Sequence, residues 1–314
     1  MAEHVRITDV SPRDGLQNEP GVIPTAEKVR LIELLCATGV DEVEVTSFVS
    51  AKWVPQLGDA AEVFKGLRER GMLKVAPLFS ALVPNEKGME QAEEVAKSPS
   101  LLDKVSVFTA ASETFSKKNT NATIAETMER FKPVIERAKN ASTGPMRVRG
   151  YISCVIACPF EGPIAPGRVA DVAASLVHLG VDEIDLGDTI GAGTPESIRA
   201  VLEAVRRTIG SAWWTPDKLT LHLHDTFGRA AECVEAALEA GVRSFDGSVA
   251  GLGGCPYAST PGKRAPGNIA TETLVATIER AEYTTGVNRD RLAEAAAFAR
   301  EIVTKSRAAA GGGA

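Results

Sequence analysis

The sequence predicts an α/β protein whose fold is a closed (β/α)8 TIM barrel, in one domain with a short C-terminal helical extension. Short β-rich runs alternate with longer segments of helical periodicity about eight times along the 314 residues. Such alternation builds a parallel sheet covered by helices, and eight units suit a closed barrel better than an open sheet of five or six strands. The polar residues also fall after the predicted strands, at the end where a barrel carries its chemistry.

Strands and helices can be assigned in order along the chain. The predicted strands are 5–10, 42–48, 74–80, 104–110, 148–154, 183–189, 219–225 and 244–251. Helical periodicity is clearest over Ala26–Thr38, Val169–Leu179, Pro195–Ile209 and Ala230–Ala240. Three helices are predicted to stop at Gly39, Gly180 and Gly241, since glycine adopts the left-handed conformation that ends a helix. A Val follows each of these glycines, which indicates repeated αβ units.

Composition and these elements set the expected organisation of the chain. We expect the catalytic barrel over residues 1–288, a C-terminal helix over 289–306 and a disordered, low-complexity tail over 307–314. No apolar run is long enough to cross a bilayer and the N-terminus lacks a signal-like pattern, so a cytoplasmic protein without membrane partners is expected. The five scattered cysteines predict reduced thiols. A net charge of −6 without a Lys/Arg stripe argues against a nucleic-acid partner.

Two histidines on the seventh predicted strand, in LTLHLHDTFG, are the strongest indication of a site. His222 and His224 are two residues apart, so on a strand they point the same way, about 6.5 Å from each other. The alternative is two solvated or hydrogen-bonded histidines on a half-buried strand. Because the chain has only four histidines, the pairing favours a divalent-metal site at the end of this strand.

Arg13 and Asp14, in the turn SPRDGLQNE after the first strand, are candidates to complete that site. An Asp in a turn commonly caps a helix or binds its own backbone, and that alternative stays open for Asp14. Barrel closure, however, brings the first strand next to the seventh or eighth, so Asp14 can reach the histidines and supply an oxygen ligand. Arg13 beside it can hold a carboxylate or a developing oxyanion.

Glu44 is predicted to point into the barrel. It alternates with Val43 and Val45, whose aliphatic side chains are expected to face the helices. A buried carboxylate needs a partner, and Arg13 or the metal site is the natural one. The alternative, an ordinary polar end to the strand, is the weaker interpretation.

The segment from Ser248 to Asn268 is predicted to form a mobile lid. It holds five glycines and three prolines around Cys255, and a cysteine on such a lid can carry a proton or attack as a thiolate. A lone loop cysteine is otherwise unremarkable. Phosphate binding by this glycine-rich loop is a competing interpretation, but no Gly-Lys-Ser/Thr follows as in a P-loop.

Together these residues resemble the 3-hydroxy-3-methylglutaryl-CoA lyase family, within the metal-dependent aldolase-like lyases and Claisen synthases built on TIM barrels. The resemblance extends from near the N-terminus to residue 270, and TGVN at 285–288 continues it. The segments that carry it are SPRDGLQNE, EVTSFVSAKWVPQ, FTAASETFSKKN, RGYISC, LGDTIGAGTP, HLHDTFGRA and SVAGLGGCPYA. No single one of these motifs would be sufficient to indicate the family.

The resemblance implies a carbon–carbon lyase that cleaves 3-hydroxy-3-methylglutaryl-CoA, or a close 3-hydroxyacyl-CoA analogue, to acetyl-CoA and acetoacetate by a retro-Claisen reaction, as in leucine degradation. The implied cofactor is a divalent metal, Mg²⁺ or Mn²⁺, which lowers the pKa of the substrate hydroxyl. The implied partners are an acyl-CoA thioester and a second copy in a homodimer.

The resemblance also implies roles for individual residues. Arg13 would stabilise negative charge on the carbonyl oxygen, and Cys255 would carry a proton from the lid. The implied catalytic residues are Arg13, Asp14, Glu44, His222 and Cys255. The implied metal ligands are Asp14, His222, His224 and Asn268. The implied substrate-binding residues are Arg13, Gln17, Ser47, Asp185, Asp188 and Thr189.

Two features depart from the family pattern. The loop between Cys255 and Asn268 is longer than usual, so the lid is expected to close differently. Asp185 stands where the family often has Ser, and if it faces inward it adds a carboxylate to the substrate pocket. Two other functions stay open: a Claisen-condensing synthase of the isopropylmalate or homocitrate type, and a non-catalytic metal-binding barrel.

Overall fold

Eight parallel strands close into a barrel, which confirms the predicted fold class. The computed structural model describes residues 2–72, 77–97, 101–254 and 267–311. The strands in chain order are β1 (Arg6–Asp9), β2 (Glu42–Ser47), β3 (Leu78–Leu82), β4 (Lys104–Ala110), β5 (Arg147–Ser153), β6 (Ala157–Cys158), β7 (Gly162–Pro163), β8 (Glu183–Asp188), β9 (Leu219–Leu223) and β10 (Ser244–Gly247). All except β6 and β7 belong to the barrel, and those two form a small antiparallel hairpin after β5.

Barrel closure sets which strand ends meet. β1 pairs in parallel with β2 on one side and with β10 on the other. In the next pair, Asp246 of β10 lies opposite His222 of β9. The turn after β1 therefore lies beside the ends of β10 and β9, as the sequence argument for Asp14 requires.

Helices surround the barrel and bury their apolar faces against it. They are α1 (Thr25–Cys36), α2 (Ala60–Glu69), α3 (Glu86–Ala96), α4 (Glu113–Thr120), α5 (Ile124–Lys139), α6 (Pro166–Leu179), α7 (Pro195–Ile209), α8 (Ala230–Glu239), α9 (Thr271–Arg280) and α10 (Arg289–Gly311). Gly39, Gly180 and Gly241 have φ values of 87°, 92° and 92°, which confirms the three predicted left-handed helix stops. None of the helices in the described ranges combines the length and apolarity needed to cross a bilayer.

Six of the predicted strands match the structure to within two residues at each end, and the other two differ more. β3 covers 78–82, while residues 74–76 of the predicted strand lie outside the described residues, and the strand predicted over 244–251 ends at Gly247. The chain then forms a short 3-10 turn over Val249–Gly251, in which Ala250 has a φ of 60°. A bend of this kind is incompatible with a strand, so the end of β10 marks the start of the loop over the barrel mouth.

The last helix extends beyond its predicted end. α10 continues through Gly311, so residues 307–311 are helical rather than disordered. Alanine has the highest helix propensity, and the helix is also anchored near its end. Ser306 Oγ donates to the carbonyl of Gly21 over 2.7 Å and accepts from its N–H over 3.1 Å. Arg307 donates from Nε and Nη2 to the two carboxylate oxygens of Glu19, each over 2.9 Å.

Candidate active site

A cavity of about 860 Å³ opens at the C-terminal end of the barrel. Its floor contains the histidine pair and the turn after β1, and its walls come from the ends of several strands. The predicted site residues that line it are Arg13, Asp14, Gln17, Ser47, Thr189, His222 and His224. The sequence rule that placed chemistry at these strand ends thus holds for residues from four parts of the chain, at the ends of β1, β2, β8 and β9.

Asp14, His222 and His224 form a compact group of three possible metal ligands. One carboxylate oxygen and one nitrogen from each ring all lie within 4.8 Å of one another. The two Nε2 atoms are 3.3 Å apart. Asn268 is held beside the group: its Nδ2 donates to Asp14 Oδ2 over 2.8 Å and to the carbonyl of Leu252 over 2.9 Å. A backbone bridge between His224 and Asn268 aligns the two segments.

The chemistry of this group fits a divalent cation. Neighbouring ligands on an octahedral ion with bonds of about 2.1 Å lie about 3 Å apart, close to the separation of the two Nε2 atoms. His224 Nδ1 is buried and has no hydrogen-bond partner among the described residues, so this ring is not committed to a hydrogen bond on that side. A carboxylate with two imidazoles is a donor set used by several divalent metals.

The protonation states also favour cation binding. Burial raises the pKa of Asp14, but the charges of Arg13, His222 and His224 outweigh it and lower the pKa to about 2. Burial, together with the neighbouring His222, lowers the pKa of His224 to about 4. Asp14 is therefore ionised and His224 neutral near pH 7, the forms in which each group binds a metal.

Arg13 lies in a π-helical turn, Ser11–Gly15, that follows β1 directly. Its Nε donates to Glu44 Oε2 over 2.5 Å and its Nη1 donates to Asp14 Oδ1 over 2.6 Å. Glu44 is fully buried inside the barrel, so the predicted inward orientation and the predicted pairing with Arg13 are both present. Burial raises the pKa of Glu44 above its usual value, and the positive charge of Arg13 offsets this rise only in part.

Asp185 does not face the substrate cavity, contrary to the expectation from its place on the strand. It points into the barrel but lies below the cavity, fully buried, with Oδ2 3.4 Å from Arg149 Nη1. Arg149 is itself inside the barrel, and its positive charge offers a buried carboxylate the partner it needs. Burial and the neighbouring Asp246 raise the pKa of Asp185 well above its usual range, and Arg149 offsets this only in part, so the extra carboxyl group belongs to a polar layer beneath the site.

The two predicted residues at the end of β8, Asp188 and Thr189, have different positions. Asp188 accepts hydrogen bonds from the N–H groups of Ala192 and Gly193 over 3.1 and 2.7 Å, so it shapes the following loop and does not line the cavity. Burial, only partly offset by these bonds, raises its pKa to about 6. Thr189 lines the cavity, and its Oγ1 accepts from the N–H of Cys154 over 2.7 Å. Cys255 lies outside the described residues.

Three residues around this group of possible metal ligands were missing from the sequence prediction of the site: Asp246, Arg149 and Tyr151. Asp246 Oδ2 lies 3.1 Å from His222 Nδ1, and Arg149 Nη1 donates to Asp246 Oδ1 over 3.1 Å. Tyr151 lines the cavity and its ring packs edge-on against His222, with 6.1 Å between centroids. The alternation that identified Glu44 could have indicated Asp246, which follows Phe245 on β10.

The mouth of the cavity is positively charged on one side. Lys117 and Lys118, in the last turn of α4, and Arg130 of α5 line it. Arg130 also holds the connection between the two helices, since its Nη1 donates to the carbonyl of Thr120 over 3.0 Å. An anionic ligand that reaches the floor past this wall would meet three cations on its way.

Comparison with known proteins gives consistent similarities. A family model described as HMGL-like matches residues 4–299. The chain is 45% identical, over 94% of its length and 91% of the relative, to the 3-hydroxy-3-isohexenylglutaryl-CoA/hydroxy-methylglutaryl-CoA lyase of Pseudomonas aeruginosa. It is 43% identical, over 98% of its length and 83% of the relative, to the cytoplasmic 3-hydroxy-3-methylglutaryl-CoA lyase of Mus musculus.

Solved structures show the same similarity. The crystal structure of the HMG-CoA lyase from Brucella melitensis has a TM-score of 0.86 and 44% identity, covering 96% of this chain and 100% of that one. An HMG-CoA lyase from Acinetobacter baumannii, in complex with coenzyme A and 3-methylmalate, has a TM-score of 0.82 and 32% identity, covering 96% and 92%. The likeness thus extends over nearly the whole chain.

Proposed function

We propose, because this chain belongs to the HMGL-like family, that it is a divalent-metal-dependent lyase which cleaves 3-hydroxy-3-methylglutaryl-CoA to acetyl-CoA and acetoacetate. The observation that carries the proposal is the convergence of Asp14, His222 and His224 beside Arg13 on the cavity floor. This arrangement joins a cation site to a fixed hydrogen-bond donor, as cleavage of a 3-hydroxy thioester requires.

The reaction breaks one carbon–carbon bond and moves one proton. The tertiary hydroxyl loses its proton, and the bond between the hydroxyl-bearing carbon and the carbon next to the thioester breaks. The alkoxide becomes the ketone of acetoacetate, and the electron pair passes to acetyl-CoA as an enolate, which then takes up a proton. A divalent cation held by Asp14, His222 and His224, with Asn268 proposed as a further ligand, would supply positive charge that lowers the pKa of the hydroxyl.

Arg13 is proposed to stabilise the enolate. Its Nε and Nη1 are engaged by Glu44 and Asp14, so among the contacts of the described residues its Nη2 is left to donate to a substrate oxygen. The two carboxylates hold the guanidinium in place before the substrate arrives, and a donor oriented in advance favours the charge that develops in the transition state. Cys255 is proposed as the proton carrier, on its sequence position alone.

The coenzyme A part of the substrate is proposed to lie along the positively charged wall. Its phosphates need cations, and Lys117, Lys118 and Arg130 provide them at the cavity mouth. Gln17 and Ser47 line the cavity nearer its floor and are proposed to contact the acyl group. The side-chain oxygen of Ser47 is buried without a hydrogen-bond partner among the described residues, so it is available to a ligand.

Finer assignments belong to the same proposal. Mg²⁺ or Mn²⁺ is the proposed cation, since the Asp14 carboxylate and the oxygens of the substrate are ligands that these hard ions prefer. Asp188 is proposed to act indirectly, through the loop that it holds beside Thr189. A cytoplasmic location, a homodimer and a place in leucine degradation are predictions from the sequence resemblance.

One assay tests the proposal against its main alternative. Purified protein supplied with 3-hydroxy-3-methylglutaryl-CoA and Mg²⁺ or Mn²⁺ should release acetoacetate, and a chelator should stop the release. The similarity to known proteins does not favour a Claisen-condensing synthase, because the relatives at 43–45% identity are named as lyases. Condensation of acetyl-CoA with a 2-oxo acid, without acetoacetate release, would establish that alternative instead.

A further inference from the structure

The second ring nitrogen of His222 has a buried carboxylate partner. His222 Nε2 lies in the cluster with His224 and Asp14, while its Nδ1 lies 3.1 Å from Asp246 Oδ2. The register explains the contact: Asp246 lies opposite His222 on the neighbouring strand, and parallel strands in register direct such side chains to the same side. The imidazole thus lies between the cavity floor above and a carboxylate below.

The surroundings of Asp246 determine which atom carries the proton. Arg149 Nη1 donates to Asp246 Oδ1 over 3.1 Å, and the Tyr151 hydroxyl donates to Oδ2 over 3.3 Å. An ionised carboxylate can only accept hydrogen bonds, and an Arg partner favours the ionised form. His222 must then be the donor in its contact with Asp246, so its proton lies on Nδ1.

We propose that Asp246 is a positioning residue for His222: its carboxylate keeps the imidazole protonated on Nδ1 and thereby leaves the Nε2 lone pair to a divalent cation. Arg149 and Tyr151 fix the carboxylate in turn. Outer hydrogen bonds of this kind orient metal-binding histidines in many proteins. The inference rests on the proposed function in one respect only, that the group on the cavity floor binds a divalent cation.

A competing explanation is that Asp246 only neutralises Arg149. Arg149 also contacts Glu183 over 2.7 Å and Asp185 over 3.4 Å, so the barrel interior contains a network of buried charges that could be purely structural. On that explanation the tautomer of His222 does not depend on Asp246. The two explanations therefore differ in the tautomer that they predict for His222 in the metal-free protein, and this tautomer can be measured.

Nitrogen NMR of the unmodified, metal-free protein provides the first test. In its neutral form, which the unequal shifts of the two ring nitrogens identify, His222 should carry its proton on Nδ1. A proton on Nε2 instead would overturn the inference. This measurement needs no activity, no metal and no variant.

Asp246→Asn provides the second test. Because Arg149 would take the amide oxygen, the amide hydrogens would face His222 and move its proton to Nε2. Binding of Mn²⁺, measured by calorimetry, should weaken about ten- to hundredfold, the usual cost of losing such an outer contact. The melting temperature of the variant shows whether it retains the fold. If the variant does not fold, the NMR measurement on the unmodified protein decides whether Asp246 sets the tautomer of His222.

The matched control is Glu183→Gln. Glu183 is as buried as Asp246 and also contacts Arg149, over 2.7 Å, but it makes no hydrogen bond to His222 among the described contacts and belongs to neither cluster that could hold a metal with His222. Its variant should keep the Mn²⁺ affinity of the unmodified protein. Equal losses in both variants would show an effect of buried charge and overturn the inference. Failure of the unmodified protein to bind Mn²⁺ would instead refute the metal part of the proposed function, and the NMR result would still stand.

Discussion

The guanidinium of Arg13 donates a 2.5 Å hydrogen bond from Nε to the carboxylate of Glu44, in the middle of the neighbouring strand β2. Glu44 is fully buried, so a rigid part of the barrel sets the orientation of the arginine. In the role proposed for it, the Arg13 side chain needs no further ordering when the substrate binds, which saves conformational entropy at the moment of reaction.

Arg13→Lys is expected to lower kcat about a hundred- to thousandfold with little change in KM. Lysine lacks the planar guanidinium group with its several N–H donors, so it cannot contact Glu44, Asp14 and the substrate in fixed directions at once. Steady-state kinetics with 3-hydroxy-3-methylglutaryl-CoA measure the effect. Arg137→Lys, on the outer surface of α5, is the control and should leave both constants unchanged. A defect confined to KM would make Arg13 a substrate anchor rather than a stabiliser of the enolate.

His222→Ala and His224→Ala should each weaken Mn²⁺ binding and abolish acetoacetate release. Each change removes one of three clustered donors, which leaves the ion with too few protein ligands. Calorimetric titration with Mn²⁺ measures the affinity, and dialysis against a chelator followed by Mn²⁺ should restore activity only in the unmodified protein. His178→Ala, exposed on α6, is the matched control. Tight Mn²⁺ binding by the doubly substituted protein, which lacks both imidazole rings, would refute the assignment.

Cys255→Ser should lower turnover about a hundredfold or more, the usual contribution of one positioned acid–base group. Metal affinity should be retained. A thiol reagent should inactivate the enzyme through Cys255, and substrate should protect it. Burial raises the pKa of Cys36 and of Cys233 to about 12, and Cys154 and Cys158 are buried, so these four thiols should react slowly.

Cys36→Ser is the control for this experiment, because it removes a thiol on α1, away from the cavity. It should alter neither turnover nor the rate of inactivation by the reagent. If Cys255→Ser retains most of its activity, the proton must reach the enolate from another donor.

Replacing both Lys117 and Lys118 by Ala should raise KM about tenfold and leave kcat nearly unchanged. The two ammonium groups line the cavity mouth, where they are proposed to attract the phosphates of coenzyme A. Added salt should reduce the difference between the variant and the unmodified enzyme, since it screens charges at the surface. Lys65→Ala on α2 is the control. An unchanged KM at low salt would move the coenzyme A site elsewhere.

Glu42→Gln should destabilise the fold by about 3–5 kcal/mol at pH 7, because it leaves buried cations without their partner. Glu42 is fully buried, and Lys104 Nζ donates to its Oε2 over 2.5 Å. Burial raises the pKa of Glu42, but the charges of Arg149 and Lys104 outweigh it and lower the pKa to about 2. Urea unfolding measures the difference.

The same group predicts how stability depends on pH. Its pKa is depressed in the folded state, so its contribution is present above the unfolded pKa near 4.5 and is lost as pH falls from there towards 2. The unfolding free energy of Glu42→Gln should therefore vary less with pH below 5 than that of the unmodified protein. Glu129→Gln, exposed on α5, should behave like the unmodified protein in both respects.

The elements that the sequence predicted best have chemical signals at both ends. α7 begins and ends where predicted, at Pro195 and Ile209, because Thr194 caps its first turn and Gly210 leaves the helical region with a φ of 87°. α10 has no such signal at its end. Its length depends on the contacts of Ser306 and Arg307 with a distant segment, which no local pattern records.

The candidate site was predictable to a similar extent. Alternation along a strand predicts the face on which a side chain lies, and it placed Glu44, His222 and His224 inside the barrel. It does not predict depth, so Asp185 was expected in the cavity although it lies a layer below. The role of Asp246 depends on the register between two strands, which the sequence of either strand alone does not contain.

The distance along the chain between contacting residues has a consequence for synthesis. Asn268 donates to Asp14 across 254 residues of sequence, and Arg307 reaches Glu19 across 288. When Asp14 leaves the ribosome, most of the chain that completes its surroundings has not yet been translated. The nascent protein therefore lacks the assembled group of proposed metal ligands, and we expect a chain that terminates before His222 to bind no cation there.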